Sequence, residues 1–278
     1  MRSNPRLALG LAGAVVTTIM ISSASAACTR EALLAAATKY IAAQEEGKLN
    51  FATLPPAANL GYKENNAALD IKKGLLARPV KIDYHRATAD SVQCASYTEW
   101  VATTGPAPFV VGTQITHNPQ DMSVVLIDTI AASTGSLFFN ASQTLAHLKA
   151  EDWSPLPPEK RPTRELLRGT IDGYLDMWTN ATAIDAIPWG TPCQRVEGSR
   201  LVTPCTAGAP RGGSNRTISM RRYVIDEVMG SGNALCDFTA MGHIPDSHEV
   251  RIESGKVRYV HTITLSMNGT GGPVPLTA

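Results

Sequence analysis

The chain has 278 residues, with 25 Lys and Arg against 24 Asp and Glu and 44% apolar residues. A charge balance this close to neutral excludes nucleic acid or acidic lipid as an electrostatically driven partner. The length and apolar content suit two domains of ordinary size, each able to bury a core.

Residues 1–26 read as a secretory signal peptide. Arg2 and Arg6 make a basic start, residues 7–21 are an uncharged apolar run, and Ala24-Ser25-Ala26 is a small-residue cleavage site. The run is short for a membrane span, which needs roughly 20 residues, and no later segment is longer. Its removal takes two arginines from the 25 basic residues and leaves 23 against 24 acids, a net charge of −1. The expected location is the secretory pathway or outside the cell, with no membrane attachment after cleavage.

A helix is expected from Thr29, a capping residue, to Gly47, with Leu33, Leu34, Ala37, Tyr40 and Ile41 at helical spacing. A second, short helix is expected over 66–75. Strands follow over 80–84, 94–103, 109–116 and 122–131, and a helical turn over 145–149. Pro155, Pro157, Pro158 and Pro162 mark 154–163 as a linker or surface strap. A helix over 164–178 comes next, then a long irregular loop over 188–213 of the length that usually serves as a lid or binding element. Strands are expected over 220–228, 234–238, 248–253 and 257–265, with Ser254-Gly255 as a hairpin turn.

Part of this order repeats. Thr29-Arg30-Glu31 recurs as Thr163-Arg164-Glu165, with Tyr40 matching Tyr174. Arg86 and Asp90 match Arg222 and Asp226, and His117-x-Pro119 matches His243-x-Pro245. Matches in one order with small drift indicate a duplicated domain. The domain plan is therefore a signal over 1–26, one repeat over 27–153, the Pro-rich linker over 154–163 and a second repeat over 164–278, the two copies forming a built-in dimer. Each repeat is a helical start packed on a curved antiparallel sheet, an α+β fold.

Five cysteines remain after residue 26, so at least one is unpaired in an oxidising compartment. Cys193 and Cys205 close a short loop and are the expected disulfide. Cys28 with Cys94 would tie the N-terminal segment to the first sheet, and the connectivity of Cys28, Cys94 and Cys236 stays open. Cys236 lies in an apolar run with no base near it in sequence. No CxxC or HxxxH spacing calls for zinc, and no phosphate or dinucleotide loop occurs, so no cofactor is expected. Four sequons, at Asn140, Asn180, Asn215 and Asn268, are candidate glycosylation sites.

Histidines are the natural acid–base groups at neutral pH. His261 shares a strand face with Tyr259, and if that face lines a cavity the two converge on a ligand. His248 follows Asp246, which can orient an imidazole. His85 has no counterpart in the second repeat, where Arg221 stands. These four are the candidate catalytic residues. Tyr174 and Trp178, one helical turn apart, with Trp100 and Trp189, are candidate walls for an aromatic ligand. Residues kept in both repeats, namely Arg86 with Asp90, Arg222 with Asp226, and the two His-x-Pro turns, are expected to be scaffold, with each Arg and Asp ion-paired along its strand.

The pattern resembles the NTF2-like superfamily, which includes the SnoaL-like cyclases, scytalone dehydratase and ketosteroid isomerase. The residues carrying the likeness are Gly61-Tyr62-Lys63-Glu64-Asn65, Gly74-Leu75-Leu76 and Asp90 in the first repeat. In the second they are Arg221 to Asp226 and Ile252 to Arg258. The run Pro245-Asp246-Ser247-His248-Glu249-Val250-Arg251, followed by Arg258-Tyr259-Val260-His261-Thr262, is similar to secreted fungal proteins of tandem NTF2-like build. Some of those resemble enzymes that form a quinone methide by dehydration and guide its hetero-Diels–Alder addition to a terpene. The resemblance implies two cone-shaped domains and a cofactor-free enzyme of secondary metabolism. It would dehydrate or cyclise a small aromatic, tropolone-like intermediate with a terpene partner. A secreted carrier of a small hydrophobic ligand, without chemistry, is the alternative, and a structural protein with side-chain-filled pockets is a third. Substrate, active repeat and oligomeric state are not readable at this level.

Overall fold

The computed structural model describes residues 28–266, apart from 53, 55–58 and 106. The signal-peptide reading and Asn268 lie outside the described residues. The first half holds α1 (Arg30–Glu46), β1 (Gly61–Glu64), β2 (Ala67–Ala68), β3 (Tyr84–Asp90), β4 (Ala95–Ala102), β5 (Phe109–His117), β6 (Val124–Ala132) and α2 (Ala141–Ala150). The second holds α3 (Arg164–Asp176), α4 (Ala183–Ala186), β7 (Trp189–Glu197), β8 (Arg200–Val202), β9 (Ser219–Asp226), β10 (Ser231–Phe238), β11 (Ile244–Glu253) and β12 (Lys256–Thr264).

The duplication is visible in the strand order. One six-stranded sheet runs β2-β1-β6-β5-β4-β3 and the other β8-β7-β12-β11-β10-β9. In each, one pair is parallel, β1 with β6 and β7 with β12, and the other neighbours are antiparallel. The registers also agree: Asp90 faces Ala95 as Asp226 faces Ser231, 136 residues on. The fold is α+β with two sheets and few helices.

Local chemistry explains the elements. Thr29 and Thr163 cap α1 and α3 by accepting from Ala32 N and Leu166 N. Gly47 ends α1 in the left-handed region, where an added Cβ would meet Pro79 N at 2.6 Å. The helix expected over 66–75 does not form. Asn65 and Asn66 both take positive φ and turn β1 into β2, and the chain then makes only two single 3-10 turns, Ile71–Lys73 and Leu75–Ala77. The strand expected over 80–84 begins only at Tyr84. The irregular loop expected over 188–213 is in fact β7 and β8 for half its length. Polar residues and Pro192 hide β7, whose pairing comes from its parallel neighbour β12.

α1 packs on β3 and β4, and α3 on β9, β10 and β11. The opposite faces of the two sheets meet, and that interface mixes buried charges with an apolar cluster that joins Tyr97, Val110 and Ile130 to residues of the second half. Arg30 of α1 reaches Asp226 of β9 at 3.2 and 2.9 Å, and Arg164 of α3 reaches Asp90 of β3 at 2.8 and 2.7 Å. Ala89 N donates to Asp226 and Ile225 N to Asp90. The contact is reciprocal, as in a two-fold dimer. Scaffold roles for Asp90 and Asp226 are thus as expected, but their partners are not the arginines on their own strands. Arg86 pairs with Glu99 and Glu249, and Arg222 with Asp128.

The His-x-Pro equivalence fails. His117 ends β5 whereas His243 precedes β11, at the other end of the corresponding strand. The Pro-rich segment is a strap on the second half: Leu156 N donates to Val228 O, Ser254 N to Lys160 O, and Arg251 to Ser154 O. Disulfides join Cys28 to Cys94 and Cys193 to Cys205, and Cys236 is a buried free thiol. Two disulfides fit a secreted protein. Among the described residues no helix is long and apolar enough to cross a membrane. Asn140, Asn180 and Asn215 are exposed.

Candidate functional site

The helix-covered face of the second sheet carries the site. On β11, Asp246 and His248 are two apart and so point to one side. Cys236 of β10 lies opposite Asp246 in register, and Thr262 and Thr264 of β12 lie opposite His248 and Asp246. The two strand registers therefore place Cys236, Asp246, His248, Thr262 and Thr264 on a single face. α3 lays Tyr174 across it, and Trp178 follows one turn later.

His248 Nε2 is 2.6 Å from Asp246 Oδ2, and Thr264 Oγ1 donates to Asp246 Oδ1 at 3.0 Å. The imidazole is buried at 2% exposure and its Nδ1 has no hydrogen-bond partner. Burial raises the Asp246 carboxyl above its ordinary value, against the pull of His248 and Thr264. Around the imidazole stand the rings of Tyr174, Phe238 and Trp178, with centroids 5.3, 5.9 and 6.4 Å away. Burial also pushes the Tyr174 phenol well up, with Arg195 beside it opposing, so the hydroxyl keeps its proton.

A cavity of about 250 Å³ opens against His248, walled by Tyr174, Trp178, Phe238, Thr262 and Glu197. Its rim comes from two further sources. Gly208 and Pro210 lie on the segment that follows Cys205 and is anchored there by the Cys193–Cys205 disulfide, and Arg195 holds that segment by donating to Ala207 O. Leu137 and Phe138 come from the first half, where Leu137 N donates to Thr264 O. The arrangement is an Asp-paired imidazole whose second nitrogen is buried and unpartnered, on a residue that lines an aromatic cavity.

Of the expected catalytic residues, only His248 lies at this cavity. His261 and Tyr259 face the other way, because the cavity side of β12 belongs to Thr262 and Thr264. His261 is clamped between Glu99 at 3.0 Å and Glu151 at 2.7 Å. Burial alone would lower its pKa, but Glu151 and Glu99 outweigh that and push it up to about 10. An imidazole held between two carboxylates and charged at neutral pH is an interface ion rather than a base there. Glu99 in turn is held down to about 2 by His261 and Arg86 despite its burial. Tyr259 stacks on Trp153 at 5.7 Å and accepts from Asp152 N. His85 is exposed on β3.

Tyr174 and Trp178 line this cavity. Trp189 meets Tyr174 edge-on at 6.4 Å and donates to Ile184 O, supporting the wall from behind. Trp100 is fully buried in the first half, where it donates to Tyr40 Oη at 3.1 Å. Cys236 was expected to lack a base, and in space it has Asp246 and His248 as neighbours. Burial, with Asp246 adding to it, pushes its thiol well up.

The first half provides an internal comparison. By register, Cys236, Asp246 and His248 correspond to Trp100, Val111 and Thr113. Tyr40, the partner of Tyr174, bonds Thr113 Oγ1 at 2.9 Å. The same positions thus carry core packing in one half and titratable groups in the other.

A family model described as a domain of unknown function, DUF8021, matches residues 160–264, from just before α3 to the end of β12. The match covers the half that holds the cavity and under half of the chain. No curated protein matches the chain, and no solved structure does.

Proposed function

We propose that the chain is a tandem pair of NTF2-like domains whose second half is an enzyme working without a cofactor on a small aromatic metabolite. The observation that carries this reading is the buried Asp246–His248 pair, whose imidazole keeps one unpartnered nitrogen and lines an aromatic-walled cavity. A carrier of hydrophobic ligands needs no titratable pair in its cavity, so the dyad favours chemistry over transport.

The reaction class that suits it is dehydration of an aromatic or tropolone-like alcohol. His248 takes the proton of the ring hydroxyl, and the ring oxygen's electrons move inward. The neighbouring carbinol C–O bond breaks, and the imidazolium returns its proton to the departing hydroxyl. The products are a quinone methide and water. Asp246 holds the ring and stabilises its cationic form, and Tyr174 offers a hydroxyl donor to the substrate oxygen. A cavity of about 250 Å³ lies just below the usual range for ligand sites. It accommodates the aromatic partner and is too small to enclose a sesquiterpene as well, so the cycloaddition would take place at the rim, under the disulfide-tethered loop.

The test uses an ortho-hydroxybenzyl alcohol, with the quinone methide trapped by a vinyl ether and read by mass spectrometry. His248→Gln and Asp246→Asn are expected to lower kcat/KM by about 10²- to 10⁴-fold, the worth of a positioned base, with unchanged melting. Binding of the alcohol without turnover by the wild-type protein would place it among carriers, and full activity in His248→Gln would remove the dyad's role.

A further inference from the structure

Cys236 is the one cysteine outside the two disulfides, and the dehydration reading makes no use of it. Its surroundings single it out. Cys236, Asp246 and His248 each offer a ligand atom, and the three atoms lie within 4.8 Å of one another. All three side chains are buried. We propose that these three residues bind a thiophilic divalent cation of the zinc class beside the cavity of the second half.

Several features carry the proposal. The donor set of thiolate, imidazole and carboxylate is the kind that zinc selects, and three protein ligands with an open fourth position make a reactive rather than a structural zinc site. The site lies next to the cavity, since one ligand, His248, and the second-sphere Thr264 line it. The charge closes: a thiolate and a carboxylate neutralise a divalent ion, so the loaded site is neutral and suits burial. Asp246 has second-sphere support, because Thr264 holds its Oδ1, and Oδ2, paired with His248 Nε2, is the oxygen that would turn to the ion. An ion taking the place between Nε2 and Asp246 breaks no other bond of the ring, because Nδ1 makes none. The first half is the control, with Trp100, Val111 and Thr113 at the matching positions and no donor set.

The second histidine cluster, Glu99, Glu249 and His261, fails the same reasoning. Arg86 already bridges Glu99 and Glu249, and His261 lies between Glu99 and Glu151. A cation there would enter a site whose carboxylates are already neutralised.

Binding releases the thiol proton, so affinity rises with pH. The ion and the acid–base dyad use the same two residues and exclude each other in one molecule. The metal site does not rest on the dehydration reading, and its test does not read turnover.

The experiment takes the full secreted chain, stripped with a chelator, and titrates it with Co²⁺ alone. The expected result is a thiolate-to-cobalt charge-transfer band in the near ultraviolet that Zn²⁺ abolishes at one equivalent per chain. Cys236→Ser is expected to lose the band, and Thr264→Val to weaken Zn²⁺ affinity by about 10- to 100-fold, as loss of a second-sphere partner does. Because Cys236→Ser could unfold the cavity, its melting curve is recorded, and Zn²⁺ is expected to raise the melting temperature of wild type while leaving Cys236→Ser unmoved. Absence of the band in wild type, or Zn²⁺ stabilisation of the same size in Cys236→Ser, overturns the proposal.

Discussion

The reciprocal pairing of Asp90 and Asp226 makes a sharp prediction, because the molecule supplies its own replicate. Asp226 accepts from Arg30 at 3.2 and 2.9 Å, from Ala89 N at 2.9 Å and from Met229 N at 3.1 Å. Asp90 accepts from Arg164 at 2.8 and 2.7 Å, from Ile225 N at 2.9 Å, and from Val92 N and Gln93 N at 3.1 and 3.0 Å. Substituting either by Asn keeps the shape, removes the charge and turns an NH₂ towards donors. Breaking a buried pair costs about 3–5 kcal/mol when the partner is left stranded. Here Arg30 and Arg164 are 24% and 23% exposed, so each can recover water, and the expected loss is about 2–3 kcal/mol per site, one or two charge-assisted hydrogen bonds. Urea denaturation followed by tryptophan fluorescence measures it. The two variants should lose similar amounts. A loss below about 0.5 kcal/mol, the worth of a surface pair, or a large loss in one variant and none in the other, would refute the reciprocal clasp.

Gly112→Ala should destabilise by about 1–3 kcal/mol, an overpacking cost, because its Cβ would lie 2.8 Å from Tyr97 Oη and 3.1 Å from Ser247 Oγ between the sheets. A neutral result in thermal melts would mean that the sheets are not in close contact there. The Glu99–His261 pair sets a pH profile. A raised imidazole stabilises fully below its ordinary value of 6.5 and fades as pH rises towards about 10, while the lowered Glu99 carboxyl stabilises above 4.5 and fades as pH falls towards about 2. The alkaline fall in Tm should therefore be shallower in His261→Gln than in wild type, and identical slopes would contradict the assignment. Replacing Cys193 and Cys205 by Ala opens a loop of 12 residues and should cost about 3 kcal/mol. It should also weaken aromatic ligand binding by freeing Gly208 and Pro210, and unchanged affinity in fluorescence titration would separate the loop from the site.

Much of the fold was legible because its signals are local. Caps at Thr29 and Thr163, the αL glycine at 47 and the Ser254-Gly255 turn each act within a few residues. β7 was not, because its residues are half polar and its pairing partner lies some 65 positions away in β12. The site was half legible. Asp246-x-His248 and the Tyr174–Trp178 pair share faces by simple period, and both readings met at one cavity. His261 was misplaced because period fixes which residues share a face but not which face turns inward. Only the neighbouring strand decides that, through Thr262 opposite His248. Cys236 was invisible for the same reason: its companions arrive by register, with no spacing motif to announce them.

The charges buried between the sheets have a consequence for how such a molecule arises. Two free chains joining through buried charges such as Arg86, Glu99, Glu249 and His261 lose translational and rotational freedom worth roughly 4–15 kcal/mol, and ion pairs seldom return so much. Within one polypeptide, the strap that runs from Trp153 into α3 makes the encounter intramolecular, at a high effective concentration. A tethered pair can therefore keep a charged seam that separate subunits could not sustain. Once tethered, the halves no longer need to be identical. One can remain a stable foundation while the other accumulates buried, destabilising, reactive groups.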